Sequence, residues 1–376
     1  MLPDFRLETH FAVWEFKARH HLTASDAESV TLGELLSFGT EKDRDDFMSM
    51  RLGYTETSGA PELRYEIANT YDVREADDLL CFAGAEEGIY ATFTTLLEAN
   101  DHAIVVVPAY QSLESVPRSI CRTTSIPLEL KNEWVLDIGR VEDAIRPETK
   151  AIAINFPHNP TGALLPDADL HQLIDICRRR GIWLFSDEAY RPLGPFGGRQ
   201  SPQVADLYER GISLGVMSKA YGLPGLRVGW ISCADRDLLK RVEKTKYYLS
   251  ICNSGPSERL AMIALRARDR ILERNGRIVS DGIEQWTDFF SRHEELFEWI
   301  PPVAGCVAYP RFKGAEGIEI FAAKLVDEAG VLVLPASIYA SPSAQLHGQH
   351  FRVGAGRLGL TEGLRAFDQF LADRKA

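Results

Sequence analysis

From about residue 80 onward, short β-branched apolar runs alternate with longer stretches whose apolar residues recur every three to four positions. Residues 80–83 and 103–107 predict buried strands, with a helix over 86–98 between them. Further strands are predicted over 151–155, 182–186, 212–216 and 228–232. In 167–180, Leu170, Leu173, Ile174 and Cys177 fall on one helical face. Such alternation predicts an α/β fold whose large domain holds a mostly parallel sheet sandwiched by helices. Residues 235–274 read as helix-rich. Beyond Arg292, strands (331–334, 350–353) mix with helices (318–329, 361–373), which predicts a smaller α+β domain. The expected division is 46–290 for the large domain and 1–45 plus 291–376 for the small one. The first 45 residues are too few to fold alone and are expected to pack on one of these bodies.

Apolar residues make up 45% of the 376 and charged residues 26%, enough for a large core and a solvated surface. Lys and Arg number 42 against 54 Asp and Glu, a formal net charge of −12, which argues against nucleic-acid and membrane partners. The six cysteines (81, 121, 177, 233, 252, 306) form no C-x-x-C pair and suit a reducing compartment. The N-terminal MLPDFRLETH lacks the basic-then-apolar run of a secretory signal, and no apolar stretch reaches bilayer length. The expected location is cytoplasmic.

Four segments carry candidate chemistry, each just beyond a predicted strand, where open α/β sheets bind ligands. Ser218-Lys219-Ala220-Tyr221-Gly222-Leu223-Pro224-Gly225-Leu226-Arg227 puts a lysine where partial desolvation favours its neutral, nucleophilic amine. Arg227 is expected beside it, disfavouring the ammonium and clamping an anion. Asn155-Phe156-Pro157-His158-Asn159-Pro160-Thr161-Gly162 forms an irregular turn. Ser186-Asp187-Glu188-Ala189-Tyr190 offers a carboxylate to a cationic partner such as a protonated ring nitrogen. Gly84-Ala85-Glu86-Glu87 opens a helix whose backbone N–H groups suit an anion. Together they suit an aldehyde cofactor with a pyridine ring and a phosphate.

The SK-x-x-GLPGLR-x-GW string, with N-P-T-G and D-E-x-Y in order before it, resembles the class I/II aminotransferases, which are fold-type I pyridoxal-phosphate (PLP) enzymes. The resemblance runs from about Tyr54 to Arg352. It implies that Lys219 bonds covalently to PLP and acts as general base, and that Asp187 pairs with the pyridine N–H. Asn159 and Tyr190 would hydrogen-bond the cofactor's phenolic oxygen, and Tyr110 would stack on its ring. The phosphate would be held by Arg227 and the amides of Gly84, Ala85 and Glu86. Tyr54 matches a tyrosine that reaches the neighbouring subunit's phosphate, which implies a homodimer with shared sites. Arg352, with Asn159 beside it, would bind the substrate, its guanidinium on the α-carboxylate.

Two positions depart from the pattern. Glu86 stands where relatives carry a neutral side chain, so it is expected to offer only its backbone N–H and turn its carboxylate away. Val216 replaces a phosphate-binding serine, with Ser218 as a partial substitute. Residues 22–27 are expected to line the entrance, and a second substrate arginine stays open among Arg191, Arg199 and Arg357.

The implied reaction is ping-pong transfer of an amino group between an L-amino acid and a 2-oxo acid. Elimination, replacement, cyclisation or decarboxylation on the same scaffold is the alternative. A non-catalytic PLP-binding regulatory domain is disfavoured, because no basic stretch precedes Tyr54. Gly354-Ala355-Gly356-Arg357-Leu358-Gly359 matches a dinucleotide fingerprint, but the chain ends before such a unit could be completed. His347 and His350 lack further ligands nearby, so no metal site is expected.

Overall fold

A computed structural model of the chain describes residues 2–374 except 195, 197, 345 and 347. Its centre is a seven-stranded sheet in the order Leu79–Phe82, Gly229–Cys233, Gly211–Val216, Trp183–Asp187, Thr149–Asn155, His102–Val107, Arg122–Pro127. The five strands from Gly211–Val216 to Arg122–Pro127 are parallel. Gly229–Cys233 runs antiparallel to both its neighbours, because the chain returns from Val216 through a tight loop rather than a crossover helix.

The period of two along each strand sorts the core into two layers. Ala103, Val105 and Val107 pack beneath Ala91, Phe93, Leu113 and Leu238 from the helices Ala85–Leu96, Gln111–Ile120 and Arg236–Lys246. Ile104 and Val106 face Leu170, Leu173, Ile174 and Cys177 of the helix Asp167–Arg180. Strands buried on both faces explain why their sequences read as continuous apolar runs. Arg122–Pro127, an edge strand of sequence RTTSIP, lacks that signal and is not apparent in the sequence.

Beyond the sheet, Val307–Ala308, Phe351–Gly354 and Leu334–Pro335 form a three-stranded antiparallel sheet. It is covered by Ile318–Ala329, Leu360–Asp373 and the long helix Arg268–Arg292, which meet in an aromatic cluster around Trp286, Phe289, Phe297, Phe321 and Phe367. The expected strand over 331–334 is two short pieces: Val331–Leu332 pairs with His20–His21, and Leu334–Pro335 joins the three-stranded sheet.

The first 45 residues do not pack on one body, as the sequence suggested, but touch several. Leu7 joins the core of the large sheet, His20–His21 pairs with Val331–Leu332, and the helix Leu32–Phe38 packs on Gly255–Arg266. Residues 24–26 run close over the strand Phe351–Gly354. A Cβ at Gly354 would strike the Ala24 carbonyl oxygen, and one at Gly356 that of Asp26. The G-x-G spacing thus serves close backbone approach.

Candidate active site

The parallel strands end at a cavity of about 780 Å³, within the size range of small-molecule sites. It is lined by Glu86, Tyr110, Asn159, Asp187, Tyr190, Ser218, Lys219, Arg227 and Arg352 and by residues of the N-terminal segment. Each catalytic candidate is set by a strand end. Asp187 closes Trp183–Asp187, and Lys219 follows Gly211–Val216 by three positions. Asn155 ends Thr149–Asn155, donates its side-chain N–H to the Asp187 carbonyl (2.9 Å), and accepts the Asn159 backbone N–H (2.9 Å). The turn that presents Asn159 is thereby tied to the neighbouring strand. His158 braces it further, bonding the Pro108 carbonyl (2.7 Å) and Thr161 Oγ1 (2.8 Å), and burial holds its imidazole down at about 4.

Lys219 donates from Nζ to Ser25 Oγ (2.9 Å). Burial lowers its pKa, which favours the free amine; Asp26 opposes this, and Arg352 is the cation that adds to it. The sequence expected that cation to be Arg227. Asp187 accepts the Ala189 N–H (3.1 Å), and its carboxyl is pushed up to about 6 by burial, against that hydrogen bond and the Lys219 charge. A cation on its free side would restore the carboxylate. Tyr190 donates to the Ser25 carbonyl (2.9 Å), and burial keeps its phenol protonated.

Arg352 is wholly buried (0% exposed) with no ion pair among the described residues. It donates to Tyr339 Oη (2.6 Å), the Thr23 carbonyl (2.9 Å), Thr23 Oγ1 (3.3 Å) and Asn159 Oδ1 (3.3 Å). An unpaired buried charge costs several kcal/mol, so this guanidinium calls for an anion.

The residues present fit PLP. Gly84 lies at φ 99° as the uncapped start of the helix Ala85–Leu96, leaving first-turn N–H groups free. A Cβ there would run into the Arg227 guanidinium, so the glycine keeps open a cradle between a helix N-terminus and a cation. Tyr110 and Asp187 lie on the same cavity.

Glu86 also lines the cavity, but its Oε2 is shut off from solvent without a hydrogen-bond partner. Burial pushes the carboxyl up to about 7; the nearby Ser112 hydroxyl opposes this, and the charges of Glu8 and Asp187 reinforce it. Tyr54 is 92% exposed and not part of its own chain's cavity. Of the open arginines, Arg357 lines the cavity but is neutralised by Asp26 (2.8 Å). Arg191 bonds Gln200 and the Thr70 carbonyl elsewhere. Tyr339, the bonds that Thr23 and Tyr339 receive from Arg352, and the pairing of Asp26 with Arg357 were not foreseen from the sequence. No local spacing marks them, since their partners lie up to hundreds of residues away. Among the described residues no cluster of His, Cys, Asp and Glu could hold a metal; His347 lies outside them.

The family model for aminotransferase class I and II matches residues 38–357. The chain belongs to this family. It is a PLP-dependent enzyme of fold type I. Capreomycidine synthase of Streptomyces vinaceus is 27% identical over 90% of this chain and 87% of its own. An arginine–pyruvate transaminase of Pseudomonas aeruginosa is 32% identical over 50% of this chain and 49% of its own. Among solved structures, a PLP-dependent aminotransferase from Streptococcus suis superposes with TM-score 0.92 at 27% identity, covering 99% of this chain and 98% of that one. The PLP-dependent cyclase OrfR does so with TM-score 0.88 at 26% identity, covering 100% and 98%. Among the described residues no helix is long and apolar enough to cross a membrane.

Proposed function

We propose that the chain is an aminotransferase moving an amino group between an L-amino acid and a 2-oxo acid, as a cytoplasmic homodimer in which Tyr54 reaches the neighbouring subunit's site. One observation carries this reading: Lys219, Asp187 and Arg352 share one cavity, with the Lys219 amine biased toward its free form. PLP, when bound, supplies an aldehyde that captures the substrate amine and a cationic ring that accepts the electron pair left on Cα. Arg352 holds the α-carboxylate and so fixes which Cα bond faces Lys219. With the substrate amine held by the cofactor, Lys219 Nζ would be free to take the Cα proton as general base and to deliver it onward, away from Cα, as acid. Asp187 keeps the ring nitrogen protonated, and Asn159 and Tyr190 hold the phenolic oxygen. Gly84, Ala85 and Glu86 donate backbone N–H groups, and Arg227 its guanidinium, to the phosphate, with Ser218 beside them. Thr23 and Ser25 cover the site and exclude water.

A second reading has a specific observation behind it: the likeness to capreomycidine synthase and to a PLP-dependent cyclase spans nearly the whole chain. It keeps Lys219, Asp187 and Arg352 in the same roles but ends in ring closure within the substrate. Incubating the loaded enzyme with an amino acid and no acceptor separates the two. Transamination releases at most one equivalent of 2-oxo acid per site, whereas continuous formation of a cyclic product or ammonia sinks the first reading.

A further inference from the structure

The charges around the cavity do not balance once each is given its partner. Arg357 is neutralised by Asp26, while Arg227 and Arg352 face the phosphate and α-carboxylate in the reading above. Arg19 also lines the cavity, beside Gly330, and forms no ion pair among the described residues. Four carboxylates are left over: Glu86 on the wall, Glu8 of the helix Arg6–Trp14, Glu15 just after it, and Glu362 of the helix Leu360–Asp373. None of the four forms an ion pair among the described residues; the Oε2 of Glu86 has no hydrogen-bond partner, and the nearby Ser112 hydroxyl is the one group that favours its charged form. Burial raises the Glu15 carboxyl, and Glu8 raises both Glu15 and Glu86 further. Glu86, Glu8 and Glu15 therefore share one field; Arg357 and Lys219 offset part of it at Glu15, whereas no protein cation acts on Glu86. A carboxylate enclosed without a cation is costly, and a positive group brought by a ligand would offset that cost.

We propose that Glu86 reads the side chain of the amino-acid substrate, and that this side chain is a cation, guanidinium or ammonium, drawn in by the field of Glu8 and Glu15. This rests on the amino-acid reading above and adds the substrate class. Arg352 and Glu86 then form a two-point recognition: an arginine for the carboxylate every amino acid carries, and a glutamate for the side-chain charge that only some carry. The sequence gives Glu86 a backbone role alone; the cavity gives its carboxylate one as well.

The test compares cationic donors with neutral isosteres on the PLP-loaded enzyme: arginine against citrulline, and lysine against norleucine. The expected ratio of kcat/KM is at least about tenfold in favour of the cation, as for a partly buried charge pair. Glu86→Gln should bring the ratio to within about threefold of unity, with bound cofactor checked by its absorbance. Glu8→Gln with Glu15→Gln should lower the ratio less and weaken its salt dependence. Binding of arginine and citrulline to loaded Lys219→Ala, followed by calorimetry, should show the same preference without turnover. Equal use of neutral and cationic donors by the wild type, or a ratio that survives Glu86→Gln, overturns this inference and leaves the amino-acid reading intact. Failure of every amino acid to react or bind overturns both.

Discussion

The cavity has two walls built on different terms. One consists of strand ends: Asn159, Asp187 and Lys219 each sit where a parallel strand stops, held by a sheet buried on both faces. The other is assembled from the N-terminal segment, the helical turn Ala336–Tyr339 and the strand Phe351–Gly354: Thr23, Ser25, Tyr339 and Arg352. The first wall is fixed by the main core; the second is held by contacts between pieces far apart in the chain. The difference implies a division of labour: bond-making groups on the rigid wall, substrate-reading groups on the wall that smaller contacts hold.

Changes on the sheet wall should therefore act on kcat, and changes on the other wall on KM first. The largest effect is expected for Asp187→Asn, which keeps the shape but removes the charge proposed above for the ring nitrogen; kcat should fall about 10²–10³-fold. The same residue makes a stability prediction. Its carboxyl is raised to about 6 from an ordinary 3.8, so without cofactor its contribution to stability is present below pH 4 and lost as pH rises through 6. That loss is on the order of 3 kcal/mol. Urea unfolding of cofactor-free protein from pH 4 to 8 should show a steeper decline for the wild type than for Asp187→Asn. Added PLP should flatten it.

On the second wall, Arg352→Gln should cost about 100-fold in kcat/KM, or about 3 kcal/mol, carried mostly by KM. A fall confined to kcat would erase the distinction between the walls. The smallest effect is expected for Ser25→Ala. Losing one hydrogen bond to the Lys219 amine is worth about 1 kcal/mol, or about fivefold in kcat/KM, with the Tyr190 bond to the Ser25 carbonyl untouched.

The two walls were also unequally legible. The strands feeding Asp187, Lys219 and Asn159 announce themselves as β-branched runs, and the residues after them fall where polar chemistry follows a buried strand. Arg352 could be assigned through a motif resemblance. Tyr339 and Thr23 could not, because their partner Arg352 lies in another element and nothing in local spacing encodes that meeting. For the same reason the cation acting on Lys219 turned out to be Arg352 rather than the sequence neighbour Arg227. Arg122–Pro127 escaped notice because an edge strand need not be apolar.

The central claim is that the Lys219 amine holds the cofactor, and it can be read directly. PLP-loaded protein is reduced with borohydride, digested and mapped by mass spectrometry, beside Lys219→Ala treated in the same way. The account predicts a reduced cofactor adduct on the peptide carrying Lys219 and none in the variant; an adduct on another lysine, or an unlabelled Lys219, would contradict it.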